Sequence, residues 1–263
     1  MMHGFDMSFY QSDNTWLTMT AKADFVIHKV SEQTFRDPKG VGRLKALDPK
    51  KPAGAYHLIK PSKHKWEDEF NTFCGCIDEI RKSREIGIAL DLESTAAYVP
   101  YNAPESYKIW ICNLVNALFK KYNRPVIMYM GDLYPDNWYQ AFKEAGAVFW
   151  IARWNCTEKS IKHDCHFWQY TSKYQGMNLD ADKAMKPDNE ILRVLCQGEV
   201  AAVPVMEHSE PAKPRVTDEL IAQAINVLAL AVLDGKYGVQ PERGQRINKA
   251  IQERVNQLVK EGA

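Results

Sequence analysis

The chain has 263 residues, with 34 Lys and Arg against 33 Asp and Glu, a formal net charge of +1. That balance gives no electrostatic footprint for nucleic acid, and 45% hydrophobic with 25% charged residues is globular composition that excludes disorder as the dominant state. No apolar run approaches the ~20 residues that cross a bilayer, so membrane insertion is not expected. The first residues have no basic stretch followed by an apolar one, so no signal peptide is expected and synthesis in the cytoplasm follows. The six cysteines form no C-x-x-C pair, and most are expected to be free thiols, with Cys156 and Cys165 the pair to inspect for a bridge.

In chain order, short β-rich runs alternate with helical patterns up to about Leu195, the pattern of βα units around a mostly parallel sheet. The runs are Gly4 to Met7, Asp24 to Val30, Ala53 to Ile59, Ile86 to Leu92, Pro125 to Met130, Ala147 to Ala152, His166 to Tyr170 and a last one ending at Asp180. Eight runs in this length predict a compact α/β barrel, a TIM-like architecture. The last spacings are too short for full helices, so loops should join the late strands. Two helices are clear. One spans about Lys65 to Ser83, with Phe70, Phe73, Ile77 and Ile80 on one face. The other runs from about Pro104 to Lys121, with Ile111, Leu114, Val115 and Leu118 at i, i+3, i+4 and i+7 and Asn102 as expected N-cap.

From Gln197 to Arg215 three prolines and polar residues without a period read as a linker. Thr217 then caps a helical pattern through Leu220, Ile221, Ala224, Ile225 and Leu228, and Ile247, Ile251, Val255 and Leu258 make a second stripe. The expected division is a barrel over 1–196, a linker over 197–215 and a small all-α module over 216–263.

In a parallel barrel the chemistry sits at the carboxyl ends of the strands. Three runs end on acids: Asp6, Asp91 with Glu93, and Asp180. Side chains alternate along a strand, so Asp91 and Glu93 share a side and Leu92 takes the other. Crowded carboxyls push one pKa up and leave others ionised, which supplies the acid and the anion of glycoside hydrolysis. A single D-x-E by itself reads more readily as an ion-paired rim; three acidic strand ends in a barrel pattern favour chemistry. Tyr56, Tyr129, Trp154 and Gln169 are candidates to bind sugar by stacking and amide hydrogen bonds, and Lys29 with Glu32 either forms a surface pair or lines the same mouth. His28 and His57 have no spaced ligand partners, so neither a metal nor another cofactor is expected. No phosphate loop, dinucleotide fingerprint or G-x-S-x-G supports nucleotide binding or serine hydrolysis.

Residues 3 to about 186 resemble the glycoside hydrolase family 25 lysozymes, the N-acetylmuramidases often found as phage endolysins. The resemblance runs through Gly4-Phe5-Asp6-Met7-Ser8 with Gln11, Phe25-Val26-Ile27-His28-Lys29, Gly54-Ala55-Tyr56-His57, Leu90-Asp91-Leu92-Glu93, Trp150-Ile151-Ala152, Trp168-Gln169-Tyr170 and Leu179-Asp180. It implies a flattened (β/α)5(β)3 barrel and cleavage of the β-1,4 bond from N-acetylmuramic acid to N-acetylglucosamine in bacterial peptidoglycan. It also implies that Glu93 is the general acid, with Asp91, Asp180 and Asp6 as the other carboxylates of the site. Two segments depart from the family: Val30-Ser31-Glu32-Gln33 stands where Ala-Thr-Glu-Gly is common, and Asp182 stands where Asn is usual. The tail resembles, more loosely, a helical cell-wall-binding repeat through Ala231-Val232-Leu233-Asp234-Gly235-Lys236-Tyr237-Gly238, Arg243 and Val255-Asn256. The expected protein is a peptidoglycan hydrolase acting at the cell wall. Its rivals are a chitinase-like glycosidase and a non-catalytic glycan-binding or phage structural protein on the same barrel.

Overall fold

A computed structural model describes residues 1–95 and 98–196. The linker expected over 197–215 and the helical module expected over 216–263 lie outside the described residues.

Among the described residues nine strands form one sheet: β1 (His3–Met7), β2 (Phe25–Glu32), β3 (Phe35–Arg36), β4 (Ala53–Leu58), β5 (Gly87–Leu92), β6 (Val126–Gly131), β7 (Ala147–Ala152), β8 (Phe167–Thr171) and β9 (Asp180–Ala184). The order β1-β9-β8-β7-β6-β5-β4-β2-β3, with β1 also pairing β2, closes eight of them into a barrel and leaves β3 as a short flap on β2. Six pairings around the ring are parallel. β9 runs antiparallel to both its neighbours, β8 and β1. The sequence reading ended the last strand at Asp180; the strand instead begins there and runs the other way.

Helices α1 (Asp13–Lys22), α2 (Gly40–Ala46), α3 (Trp66–Ile80), α4 (Glu105–Tyr122) and α5 (Asp136–Glu144) connect the first strands, and α6 (Asp188–Leu195) follows β9. As expected from their spacing, β7, β8 and β9 are joined by loops with single 3-10 turns. In α4 the predicted face Ile111, Leu114, Val115 and Leu118 is buried. Its N-cap is Pro104 rather than Asn102, since proline's fixed φ and missing N–H suit a helix start. Asn123 ends the helix in the left-handed region at φ 51°, a conformation asparagine tolerates. In α3, Phe73, Ile77 and Ile80 are buried, and Phe70 packs at the margin.

Strand alternation sorts the core into two layers. One parity, including Val26, Val30, Ile88, Leu90, Val126 and Met128, packs under the helices. The other parity faces the barrel interior, where Phe25, Ile27, Ala89, Ile127, Trp150 and Phe167 cluster with Ile191, Val194 and Leu195 of α6. Helix α6 therefore plugs the floor of the barrel with three apolar side chains, each stabilising by roughly 1.5–3 kcal/mol when fully buried. Gly87 makes room for it, since a Cβ there would lie 3.0 Å from Leu195 Cδ2 and 3.2 Å from the Val194 carbonyl oxygen. All six cysteines are free, so the bridge considered between Cys156 and Cys165 is not formed.

Candidate active site

The interior parity that begins apolar at the floor turns acidic at the mouth. Along β5 it reads Gly87, Ala89, Asp91 and, one residue past the strand, Glu93. Along β1 it reads Gly4 and Asp6. Because β9 is antiparallel to β1, its first residue reaches the same level: Asp180 is in register with Asp6, and Asp182 with Gly4. This reversal brings Asp180 to the predicted place although the strand around it was read with the wrong direction.

Asp6, Tyr56, Asp91, Glu93, Asp180 and Gln169 line a pocket of about 170 Å³ together with Tyr129, Trp150 and Trp154. A wider groove of about 470 Å³ shares Glu93, Tyr129 and Trp154 with it and continues along Tyr101, Asp132, Leu133 and Arg153. Glu93 thus lines both the acidic pocket and the wider groove. Trp154 is 48% exposed and offers its ring there, a surface on which a pyranose stacks.

Burial dominates the electrostatics. It pushes the carboxyls of Asp6, Asp91 and Asp182 well above the usual range, and neighbouring acids push in the same direction. Asp180 is pushed up to about 6 by burial and then by the charge of Glu93. Burial also raises Glu93, against the pull of Lys29. Lys29 is a buried cation ion-paired with Glu32. Partial burial alone would raise Glu32, but its bond to Lys29, aided by the Tyr98 hydroxyl at 3.2 Å, holds it below the usual range. The Lys29 end of the pair is therefore buried, and its charge acts on Asp91 and Glu93.

The pocket wall is hydrogen-bonded through Gln169. Its Nε2 donates to Asp6 Oδ2 at 2.8 Å, and its Oε1 accepts from the Tyr129 hydroxyl at 3.0 Å and from Trp154 Nε1 at 3.0 Å. Both ends of the amide are thus used inside the protein. Beneath it Trp150 Nε1 donates to Asp182 Oδ1 at 2.8 Å, and Tyr56 meets Trp150 edge to face at 6.5 Å between centroids. The two strand histidines serve the scaffold. His28 donates from Nδ1 to the Lys29 carbonyl and accepts at Nε2 from Arg43, and burial lowers its pKa to about 4. His57 bridges Ser31 at 2.8 Å and the buried Glu69 at 3.0 Å. Among the described residues no set of three or more His, Cys, Asp and Glu side chains is arranged to hold a metal ion.

Sequence reasoning left Asp182, Trp150 and Tyr98 out of the site. Asp182 had a usable signal: it follows Asp180 by two residues and so shares its face. Trp150 stood out only within a segment of the family resemblance and Tyr98 not at all, because their roles depend on partners far away in the chain.

Solved structures with this architecture include a bacterial lysozyme from Streptomyces coelicolor, at 18% identity over 74% of this chain and 96% of that one, TM-score 0.56. A family 25 glycosyl hydrolase from Bacillus anthracis matches at 22% identity over 72% of this chain and 91% of that one, TM-score 0.58. The catalytic domain of an endolysin from a bacteriophage of Listeria monocytogenes matches at 20% identity over 74% of this chain and 97% of that one, TM-score 0.57. At these identities the likeness is one of fold. No curated protein sequence matches the chain. The family described as Glycosyl hydrolases family 25, however, matches residues 5–179, a segment that holds the end of β1, all of β2 through β8 and the acids Asp6, Asp91 and Glu93. With a closed α/β barrel and a carboxyl cluster at its mouth, the chain belongs to glycosyl hydrolase family 25.

Proposed function

We propose that this family 25 enzyme is a lysozyme, a 1,4-β-N-acetylmuramidase that cleaves peptidoglycan between N-acetylmuramic acid and N-acetylglucosamine. The observation that carries the reading is the position of Glu93, a carboxyl raised by burial that lines both an acidic pocket and a wider groove. A glycan laid across the two has one sugar in the pocket and the leaving sugar in the groove. Glu93 then protonates the glycosidic oxygen, the C–O bond breaks, and the positive charge that develops on the pocket sugar meets the negative field of Asp91, Asp180 and Asp6. Lys29 keeps the Asp91 and Glu93 carboxyls from rising further by its charge. Tyr56 and Tyr129 wall the pocket, Trp154 stacks on the sugar at the boundary, and Gln169 and Glu32 act on the substrate by holding those groups in place.

The finer assignments belong to the same proposal. The barrel is of the flattened (β/α)5(β)3 kind, residues 1–196 form the catalytic domain, 197–215 a linker, and 216–263 a wall-targeting module that raises local concentration at the substrate. Such an enzyme serves as a phage endolysin, made in the cytoplasm and reaching the wall when the membrane is breached.

Purified peptidoglycan digested by the protein, then reduced with borohydride and analysed by mass spectrometry, tests the reading. Reduced N-acetylmuramic acid ends should appear with the native protein and be absent with Glu93→Gln. Reduced N-acetylglucosamine ends would make it a glucosaminidase, and no new ends on several wall types would make it a glycan-binding protein.

A further inference from the structure

We propose that Asp6 and Asp182 share a single proton, which makes Asp182 a positioning residue that holds Asp6 in the acid cluster. The role in catalysis rests on the glycosidase reading; the shared proton does not. Both carboxyls are buried, Asp182 completely, and they lie within hydrogen-bonding reach of each other.

The directions of the surrounding hydrogen bonds are fixed by chemistry. An indole N–H only donates, so Trp150 occupies Asp182 Oδ1 as a donor. The carbonyl end of Gln169 is taken by two donors, the Tyr129 hydroxyl and Trp154 Nε1, so its NH2 end must face Asp6 Oδ2. Each carboxyl thus has one oxygen satisfied by a neutral N–H. The second oxygen of Asp182 is buried and finds no donor in the protein. Two ionised carboxylates facing each other there would repel in a low dielectric, whereas one proton between them turns the contact into a charge-assisted hydrogen bond.

Among the described residues, the charged groups that act most strongly on the pair include no cation. The charged groups facing the pair are Asp180 on its own strand β9 and Asp91 from β5, both acidic. From β4 and β6 the pair is faced by the hydroxyls of Tyr56 and Tyr129, which burial keeps neutral. Lys29 of β2 faces Asp91 and Glu93 and is committed to Glu32. Burial and the adjacent acids push both members of the pair upward, in keeping with a retained proton. The pair titrates as a unit, so the proton belongs to neither residue alone. It gives the floor of the pocket one negative charge where two acids stand, and it fixes Asp6 between Gln169 and Asp182.

Two variants of the full chain separate this from a structural role. Asp182→Asn supplies an amide N–H to Asp6 and a carbonyl to Trp150, imitating the proton-bearing state permanently. Asp182→Leu keeps the volume and supplies neither. The infrared difference spectrum, native minus Asp182→Asn at neutral pH, should contain the carbonyl band of one protonated carboxyl. Absence of that band overturns the shared proton whatever the enzyme proves to cleave. On peptidoglycan, kcat should survive in Asp182→Asn and fall about tenfold or more in Asp182→Leu, as misplacement of a site carboxyl predicts. Asp182→Asn as inactive as Asp182→Leu would mean that an ionised Asp182 is required, and Asp182→Leu as active as native would remove the positioning role. If the native protein cleaves no glycan, the glycosidase reading fails while the infrared result still decides the proton.

Discussion

Gln169 and Asp6 are 163 residues apart in sequence and joined by a 2.8 Å hydrogen bond across the mouth of the barrel. The same amide receives the Tyr129 hydroxyl and the Trp154 indole, so one side chain fixes an acid at the pocket floor and an aromatic ring at its rim. Gln169→Leu strands three polar groups, two of them largely buried. Leaving a buried polar group unpaired costs about 1–3 kcal/mol, so a loss of roughly 2–4 kcal/mol is expected after partial rehydration at the exposed Trp154. Denaturant unfolding measures the loss, and wall turbidity assays should show activity falling at temperatures where the variant is still folded.

Asp180 gives a prediction about pH. An Asp normally titrates near 3.8, and here burial, followed by the charge of Glu93, lifts it to about 6. The folded state therefore holds the proton more tightly than the unfolded state. Below the unfolded value both states are protonated and there is no penalty; as pH rises through the folded value the fold becomes less stable, and the penalty is complete above it. Asp180→Asn removes that penalty. Melting curves of the variant and the native protein should coincide near pH 3 to 4, separate between about pH 4 and 6 and hold a constant offset above that, the variant being more stable by on the order of 1–2 kcal/mol after discounting for partial exposure. Activity should fall in the same variant, since the stabilised group belongs to the acid cluster. Equal melting curves across the range would contradict the raised carboxyl.

What the sequence showed and what it hid separate along physical lines. Long amphipathic helices such as α3 and α4 were legible because a stripe repeats over several turns. α1 was not: only Trp16, Met19 and Thr20 of its ten residues are buried, so the apolar signal is thin and its cap, Ser12 accepting from the Thr15 N–H, is the better clue. α2 has seven residues with glycine at two positions, and β3 is two exposed residues, both below the length at which a period can be read. α5 and α6 are short helices whose starts lie behind Pro135 and Pro187, and the sequence reading singled out neither. The acids were legible because strand ends concentrate chemistry and alternation fixes their side. Their wiring was not, because Gln169, Trp150 and Tyr98 act on residues that only the closed barrel brings near.

Lys29 tests the electrostatic balance of the site. Its charge holds the Glu93 carboxyl down, and Glu32 would push it up if left without its partner. Lys29→Met therefore raises Glu93, which keeps its proton to higher pH. The alkaline limb of the rate–pH profile should move upward relative to the native enzyme, with a lower maximum rate from the loss of the ordered mouth. A limb that moves downward would mean that another group limits activity there.

Gly87 tests the plugged floor independently of the acids. A methyl group at this position meets Leu195 Cδ2 at 3.0 Å and, behind it, the α6 backbone at Leu195 Cα and the Val194 carbonyl oxygen, both at 3.2 Å. Gly87→Ala should cost about 1–3 kcal/mol through displacement of α6, the usual size for overpacking a core. Unfolding midpoints measure the cost, and the pH profile of activity at low temperature should stay that of the native protein because Asp91 and Glu93 are four and six residues away along the strand direction. A variant as stable as native would show that α6 yields without loss.

The seam formed by β1, β2 and β9 also sets a schedule. The first strand has a parallel neighbour by residue 28, but its antiparallel neighbour is not made until residues 180 to 184. Asp6 waits through most of synthesis for Asp180, Asp182 and Gln169. A partly translated chain, or one clipped before β9, owns Asp91 and Glu93 but has an open ring and half an acid cluster. Contacts this distant in sequence carry a large loop-closure cost, so the acid cluster is the part of the site that depends on the last strand being made.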